Sequence, residues 1–517
     1  MHKLSLLLLA AGMAFGISFG TASSASAIDF GVKGQWIASF DYGKNGSFTG
    51  GHGMTGYNNR EDTFSARQRQ RIQVDARASE TLSGTLFFEI GDVIWGHAGT
   101  GGALGADGKI IEIKNAYLDW AVPDTNIKVR MGIQGLGAPS FALKKPQSFG
   151  DDVAGVAVSC QFNDTLGATI FWARPYNDNY AGDANGKGVG YLDNVDVAGL
   201  MIPLTFDGFK LTPWAMFAGL GPNFLRKDAN YFGNNQIGVS QPFVLSGMVP
   251  AWGRLGSAGQ TLENTKLDEY ATVWWAGFTG DITYWDPVHV AFDFTAGSVN
   301  WSNSRLNRAG WMVNLVAEYK LDWGVPGLIG WYSSGDDDDL GNGSERLPTL
   351  SAGAADNDFS RYAFDGNPWF HREGTFGNSM AGTWGIGLRI RDISFLENLK
   401  HTFRLTYIGG TNDRRILKKM HRQGFNPAAN SEGTLMGNVE KHAGVENLYL
   451  TDIDSVVEIG LYNEYKVYEN FKIVLDANYL AVFLSNDSST WKHTKMNGAT
   501  RDVRDAWNVN LSFAYEF

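Results

Sequence analysis

The stretch WNVNLSFAYEF (507–517) sets Trp507, Val509, Leu511, Phe513, Tyr515 and Phe517 at every second position, with Asn508, Asn510, Ser512, Ala514 and Glu516 between them. A period of two gives a strand one apolar and one polar face. The pattern recurs along the chain. Phe30, Val32, Trp36, Ala38, Phe40 and Tyr42 alternate with polar or small residues near the start. VHVAFDF (288–294) and FKIVLDANY (471–479) repeat it, and no long stretch carries the 3.6-residue period of an amphipathic helix.

Composition narrows what such strands build. The 517 residues include 64 Gly, 17 Trp and only 14 Pro, yet mean hydropathy is −0.20. A chain this aromatic with so low a hydropathy fits a membrane barrel, in which lipid-facing residues alternate with wetted ones. Lys3, an apolar run over 4–19 and the segment ASSASA (22–27), with its Ala-x-Ala ending, predict a secretory signal peptide over 1–27 and a mature chain of 28–517. Removing Lys3 makes the formal charge more negative than −11. No further run reaches the ~20 apolar residues of a membrane helix. The single cysteine, Cys160 in GVAVSCQF, excludes an internal disulfide and reads as a small packed residue.

Between the alternating stretches lie two kinds of connection. VPDTN (122–126), NDT (163–165), FDG (206–208), DWGVP (322–326) and YEN (468–470) are hairpin turns. Longer segments rich in Gly, Asn, Asp and Ser fall near 43–63, 96–108, 135–153, 175–193, 220–268, 300–309, 334–381, 411–452 and 485–504. The reading is all-β: a transmembrane antiparallel up-and-down barrel with short periplasmic turns and long extracellular loops. The count is about 18 strands, with 16 the alternative. Lipid cannot satisfy backbone N–H and C=O groups, so the last strand must pair with both its predecessor and the first strand. Trp507, Phe513 and Tyr515 then face hydrocarbon, with Phe517 at an interface. Trp95, Trp120, Trp172, Trp301, Trp323 and Trp384 stand where strands meet turns or loops.

The ending NVNLSFAYEF and the segments AYLDWAVPDTNIKVRMGIQ and PQSFGDDVAGVAVS resemble general porins of Gram-negative outer membranes, most of all the homotrimeric porins of sulfate-reducing deltaproteobacteria. The resemblance implies an outer-membrane homotrimer amid lipid and lipopolysaccharide. It also implies Phe517 as part of the signal read by the barrel-assembly machinery, and a basic ladder facing a loop folded into the pore between strands five and six.

The charged candidates follow from alternation. In ARQRQRIQVDARASE, Arg67, Arg69, Arg71 and Arg77 share one face opposite Ile72, Val74 and Ala76. A cation facing lipid at mid-depth costs ~2–4 kcal/mol, so that face is assigned to the lumen. Lys128 and Arg130 follow the same logic opposite Ile127, Val129 and Met131. The pore loop that the resemblance implies maps to 135–153, with Lys144 and Lys145 inside it and Asp151 and Asp152 at its end. Asp336 and Asp338 in SGDDDDLGNGSE are the only candidate metal ligands. The calcium-loop spacing fails at Leu340, so this reads as a solvated acidic loop.

No His-Glu-x-x-His pair, Gly-x-Ser-x-Gly elbow or phosphate loop is present, so neither an enzyme nor a cofactor is expected, and no nucleic-acid partner. The expected function is a water-filled channel for passive diffusion of small hydrophilic solutes and ions. The alternative is a substrate-specific channel for small organic acids or sugars. A structural barrel with a plugged lumen is a third class.

Overall fold

The computed structural model describes residues 28–44, 62–105, 111–176, 194–221, 247–253, 269–350, 359–369, 374–377, 379–422, 447–485 and 505–517. The segment read as a signal peptide lies outside them. Among the described residues, nineteen strands form one antiparallel sheet closed on itself. In chain order they are β1 (Asp29–Lys44), β2 (Asp62–Arg77), β3 (Leu82–Ile94), β4 (Ile111–Ala121), β5 (Ile127–Gly137), β6 (Gly150–Gln161), β7 (Gly167–Tyr176), β8 (Val195–Met201), β9 (Leu204–Phe206), β10 (Phe209–Leu220), β11 (Ala271–Ile282), β12 (Val288–Asn300), β13 (Arg308–Tyr319), β14 (Val325–Ser333), β15 (Thr383–Leu396), β16 (Leu399–Gly410), β17 (Ser455–Tyr468), β18 (Phe471–Phe483) and β19 (Ala506–Glu516). β8 and β9 are two pieces of one strand, since both pair with β10 on the same edge. The barrel therefore has 18 staves.

Closure runs through the stretch that opened the sequence. β19 pairs with β18 from Leu480–Ala506 to Phe471–Tyr515, and with β1 from Lys44–Trp507 to Gln35–Glu516. The ladder continues to the last residue: Gly34 N–H donates to the Phe517 carbonyl (2.8 Å), and Phe517 N–H to that of Gly34 (3.0 Å). Val509, Leu511 and Tyr515 are exposed on the outer face, while Asn508, Asn510 and Ser512 are fully buried inside. These polar groups bond across the seam. Asn508 donates to Asp41 (2.8 Å), Asn510 to Ser39 (3.0 Å), and the Ser39 and Ser512 hydroxyls lie 2.6 Å apart. Buried polar groups are tolerated because each finds a partner.

The outer face carries aromatic residues at both ends of the strands, among them Tyr42, Trp95, Trp172, Trp274, Trp311 and Tyr332 towards the long loops, and Trp120, Trp323 and Tyr515 towards the short turns. Trp301 departs from the interfacial reading: it is 5% exposed and donates its indole N–H to the Met248 carbonyl (3.1 Å). It packs under an extracellular loop instead of facing lipid.

The long loops on the β12–β19 side fold together. Trp331, Phe359, Phe364, Phe376, Ile416, Leu417, Tyr449 and Leu450 form one buried apolar cluster. Ile416, Leu417 and Met420 belong to a short helix, Arg414–Arg422, that the strand periodicity did not announce. Apolar residues four apart on a nine-residue helix are too few to register as a period in a chain dominated by strands.

The acidic run joins this cap, and it is not merely solvated. Asp336 is 1% exposed and accepts from the Ser344 and Tyr449 hydroxyls. Asp338 faces Arg415 (3.6 Å) and Lys419 (3.3 Å) of the helix. The two acids are thus held by different partners, and no group of three or more metal-ligating side chains converges among the described residues. Neighbouring Glu345 is half-buried, and its carboxyl is pushed up to about 7 by burial and by the charges of Asp336 and Asp337, against the pull of the Asp337 N–H. A carboxyl raised in the folded state stabilises the fold fully below its unfolded value near 4.5, and loses that contribution as pH rises through about 7. The loop 334–350 should therefore show lower amide protection factors, with the base-catalysed intrinsic rates divided out, at pH 8 than at pH 5, and Glu345→Gln should flatten that difference. Equal protection factors at both pH values in the wild type would contradict this.

Candidate functional site

Two loop segments cross the lumen, each anchored on carboxylates of the opposite wall. The β5–β6 connection occupies 138–149 and reaches β11 and β12. Asp293 accepts the backbone N–H groups of Phe141 (2.9 Å), Ala142 (3.3 Å) and Leu143 (2.9 Å), and the hydroxyls of Ser140 (2.7 Å) and Thr279. The second segment, 359–369, belongs to the β14–β15 connection and reaches β17, β18 and β2. Glu458, fully buried, accepts from Tyr362 N–H (2.9 Å), Ala363 N–H (3.2 Å) and the Ser360 hydroxyl. Asp476 of β18 takes Arg361 (3.4 Å) and Asn367 (3.1 Å), and Arg69 of β2 donates to the Pro368 carbonyl (2.6 Å).

Between these segments and the wall lies a cavity of about 350 Å³. Six cations line it: Arg69 and Arg71 from β2, Lys144 and Arg361 from the two inserted segments, Arg391 from β15 and Arg404 from β16. Asp392 is the one carboxylate among the described lining residues, and Ile37, Pro368, Trp369 and Tyr462 supply an apolar and aromatic side. Trp369 is fixed in orientation. Its backbone N–H donates to Asn367 (2.9 Å), its indole N–H to the Tyr462 hydroxyl (3.2 Å), and Lys472 stands 4.6 Å from its ring centre.

Carboxylates stand behind the cations and aim them inwards. Arg71 bonds Glu89 (2.5 Å), and Arg69 lies 3.9 Å from Asp92. Glu318 of β13 holds both Arg391 (2.8 Å) and Arg389 (2.6 Å) of β15, reaching across β14 where Gly327 sits. A Cβ at Gly327 would come within 2.8 Å of Glu318 Cγ, so only glycine leaves this passage open. The same carboxylate faces His289 Nδ1 (3.2 Å), whose Nε2 lies 2.5 Å from Asp281.

The structure divides the residues singled out in the sequence. Arg67, Arg69 and Arg71 all project inwards, as the register of β2 against β1 requires, because their neighbours Phe64, Ile72 and Val74 share the outer face of Trp36 and Val32. Arg69, Arg71 and Lys144 meet in the cavity. Arg130 does not: Asp119 clamps it through two bonds (2.6 and 2.8 Å), and it lies over the Tyr117 ring (4.1 Å). Lys128 and Arg77 are exposed towards the short turns, and Lys145 is exposed outside the cavity lining.

Asp151 and Asp152 lie on β6, not in the crossing loop, because the β5–β6 ladder extends to Gly137–Gly150. Asp152 binds Lys114 (2.5 Å) and Asn115 (2.7 Å) of β4, away from the arginines it was expected to oppose. Arg361, Arg391 and Arg404 were missed. GLRIRDI (387–393) and TFRLTY (402–407) carry the same signal as ARQRQR, an arginine on the non-aliphatic face of a strand. Arg361 sits in a loop, where no periodicity marks it.

Lumen-facing Glu458, Asp476, Asn508 and Asn510 are buried, whereas the side chains of Asp119 and Arg130 remain 38% and 43% exposed.

No protein-family model matches the sequence, and no curated protein does. Among solved structures the chain is similar to OccK11 (OpdR) of Pseudomonas aeruginosa, at 12% identity and TM-score 0.47, covering 95% of this chain and 96% of that one. It is similar to OprD of Pseudomonas aeruginosa, at 10% identity and TM-score 0.46, covering 96% and 98%. It is also similar to the outer membrane channel DcaP of Acinetobacter baumannii, at 11% identity and TM-score 0.40, covering 96% and 100%. At such identities and scores, function has to be read from the geometry of the cavity itself.

Proposed function

We propose that this chain is an outer-membrane channel selective for small organic anions, the substrate-specific alternative to a general diffusion pore. The observation that carries this reading is the collar: six cations converge on one cavity beside a fixed indole and a tyrosine. A general pore needs only a wide wet lumen, whereas here two anchored segments narrow it and present charge of one sign. The carboxylates behind the collar orient the guanidinium groups without occupying the cavity. An anion is thus met by charges at close range before it feels the acids behind them. The apolar side favours a carbon skeleton over a fully hydrated inorganic ion, because burying it against Trp369 and Ile37 removes apolar surface from water.

The reading is tested by current block in planar bilayers. Succinate should reduce chloride current saturably, and glucose at the same concentration should not. Block by neither, with large ohmic steps, would return the chain to the general-pore reading.

A further inference from the structure

Strand β15 breaks its own alternation at the cavity. Against β16 its ladder steps from Ile390–Phe403 to Ile393–His401, so Arg391 and Asp392 together stand opposite Thr402. Two residues facing one is a β-bulge, which bends the strand and re-aims its side chains. Strict alternation would send the neighbour of a lumen-facing arginine towards lipid. With the bulge, Arg391 and Asp392 both line the cavity. Asp392 has a φ of 56°, a left-handed conformation that Asp, Asn and Gly adopt more readily than other residues.

The pair is held tightly. Nε and Nη2 of Arg391 donate to Glu318 (2.8 and 2.9 Å) and its Nη1 to Asp392 (2.6 Å), so each guanidinium nitrogen meets a carboxylate. Asp392 also accepts from Lys400 (3.1 Å). Its side chain nevertheless stays 37% exposed, within reach of a solute.

A second cavity of about 480 Å³ lies towards the short turns, and Arg391 and Asp392 line it too. Asp286 and Asp322 of two turns line it with Glu318, His289 and Lys320. Among the described lining residues the balance of charge therefore changes at Asp392. Six cations and one carboxylate face the first cavity, whereas four carboxylates face the second, against Arg391, Lys320 and His289.

We propose that Asp392 is the residue that lets a bound anion leave the collar, by cancelling one positive charge where the site adjoins the lower cavity. This rests on the organic-anion reading above. A binding station conducts only if its ligand can also dissociate. Six cations with no opposing charge would hold a dicarboxylate too firmly to pass it on. Asp392 weakens that grip by repulsion at close range, and by drawing on the charges of Arg391 and Lys400. In the lower cavity Asp286, Asp322 and Glu318 repel the anion with or without Asp392, so its charge is felt most while the anion sits in the collar.

Asn and Gly both accept the backbone conformation at 392 and carry no charge. In planar bilayers Asp392→Asn should lower the succinate concentration for half-block about tenfold, equivalent to ~1.4 kcal/mol. Succinate flux into proteoliposomes at saturating concentration should fall by a similar factor. Asp392→Gly should match it, and decides the matter should the Asn variant fail to fold. Tighter block with slower flux in a folded variant supports the proposal, since a bulge that merely collapsed would weaken the block. Where succinate blocks the wild type, a block unchanged or weakened in the variants, or a tighter block with faster flux, would overturn it. A wild type that succinate does not block would remove the organic-anion reading, and this proposal with it.

Discussion

Glu458→Ala should raise single-channel conductance severalfold and blunt the channel's preference between ions. Glu458 accepts the N–H groups of Tyr362 and Ala363 and also takes the Ser360 hydroxyl, all in a site with no exposure. A hydrogen bond contributes ~0.5–1.5 kcal/mol, and a buried donor left without an acceptor costs ~1–3 kcal/mol. Removing the carboxylate therefore favours release of 359–369 from the β17–β18 wall. The barrel should survive, because the closing ladders of β1, β18 and β19 do not pass through this residue. Recordings in planar bilayers decide it: unchanged conductance in a folded Glu458→Ala protein would mean that the segment is held elsewhere and does not narrow the path.

The double change Arg361→Ala and Arg404→Ala should lower the anion-to-cation permeability ratio by about tenfold, equivalent to ~1.4 kcal/mol of lost differential stabilisation. Distance sets this scale. At an effective dielectric constant near 20, a unit charge ~4 Å from the ion contributes ~4 kcal/mol and one at ~8 Å about half as much. The lining cations outweigh Glu89, Asp92, Glu318 and Asp476 behind them for this reason. Removing Arg361 also leaves Asp476 facing the path, which adds to the change in the same direction. Raising salt should shrink the effect only modestly at the collar, because screening acts less on partly buried charges than on the exposed loops. A ratio unmoved by the double change, with strand content and heat resistance intact, would show that the collar lines the path without filtering.

The barrel was legible because closure imposes alternation on every strand, and alternation survives in text: each of the nine long connections read from composition spans a junction between two strands that the structure contains. The inward direction of Arg67, Arg69 and Arg71 was legible on the same ground, since lipid would penalise the other choice. The collar as a whole was not. Arg391 and Arg404 come from strands more than three hundred residues beyond β2, and only the curvature of an 18-stave sheet brings them opposite Arg69. Asp151 and Asp152 misled because two adjacent acids after a Gly-rich run look like a loop, whereas their backbone continues the β5–β6 ladder. Segment 359–369 carried no signal at all. Its place in the lumen depends on Glu458 and Asp476, whose carboxylates appear in the sequence as ordinary polar positions of two strands.

The central claim is that charge at the collar, and not the net charge of the protein, governs what passes. The chain is acidic, with a formal charge of −11, so a channel ruled by its overall field would favour cations. The direct test is the zero-current potential of the wild-type channel across a tenfold gradient of potassium chloride. Its sign should report chloride as the more permeant ion. A potential of the opposite sign, with potassium favoured, would contradict the claim.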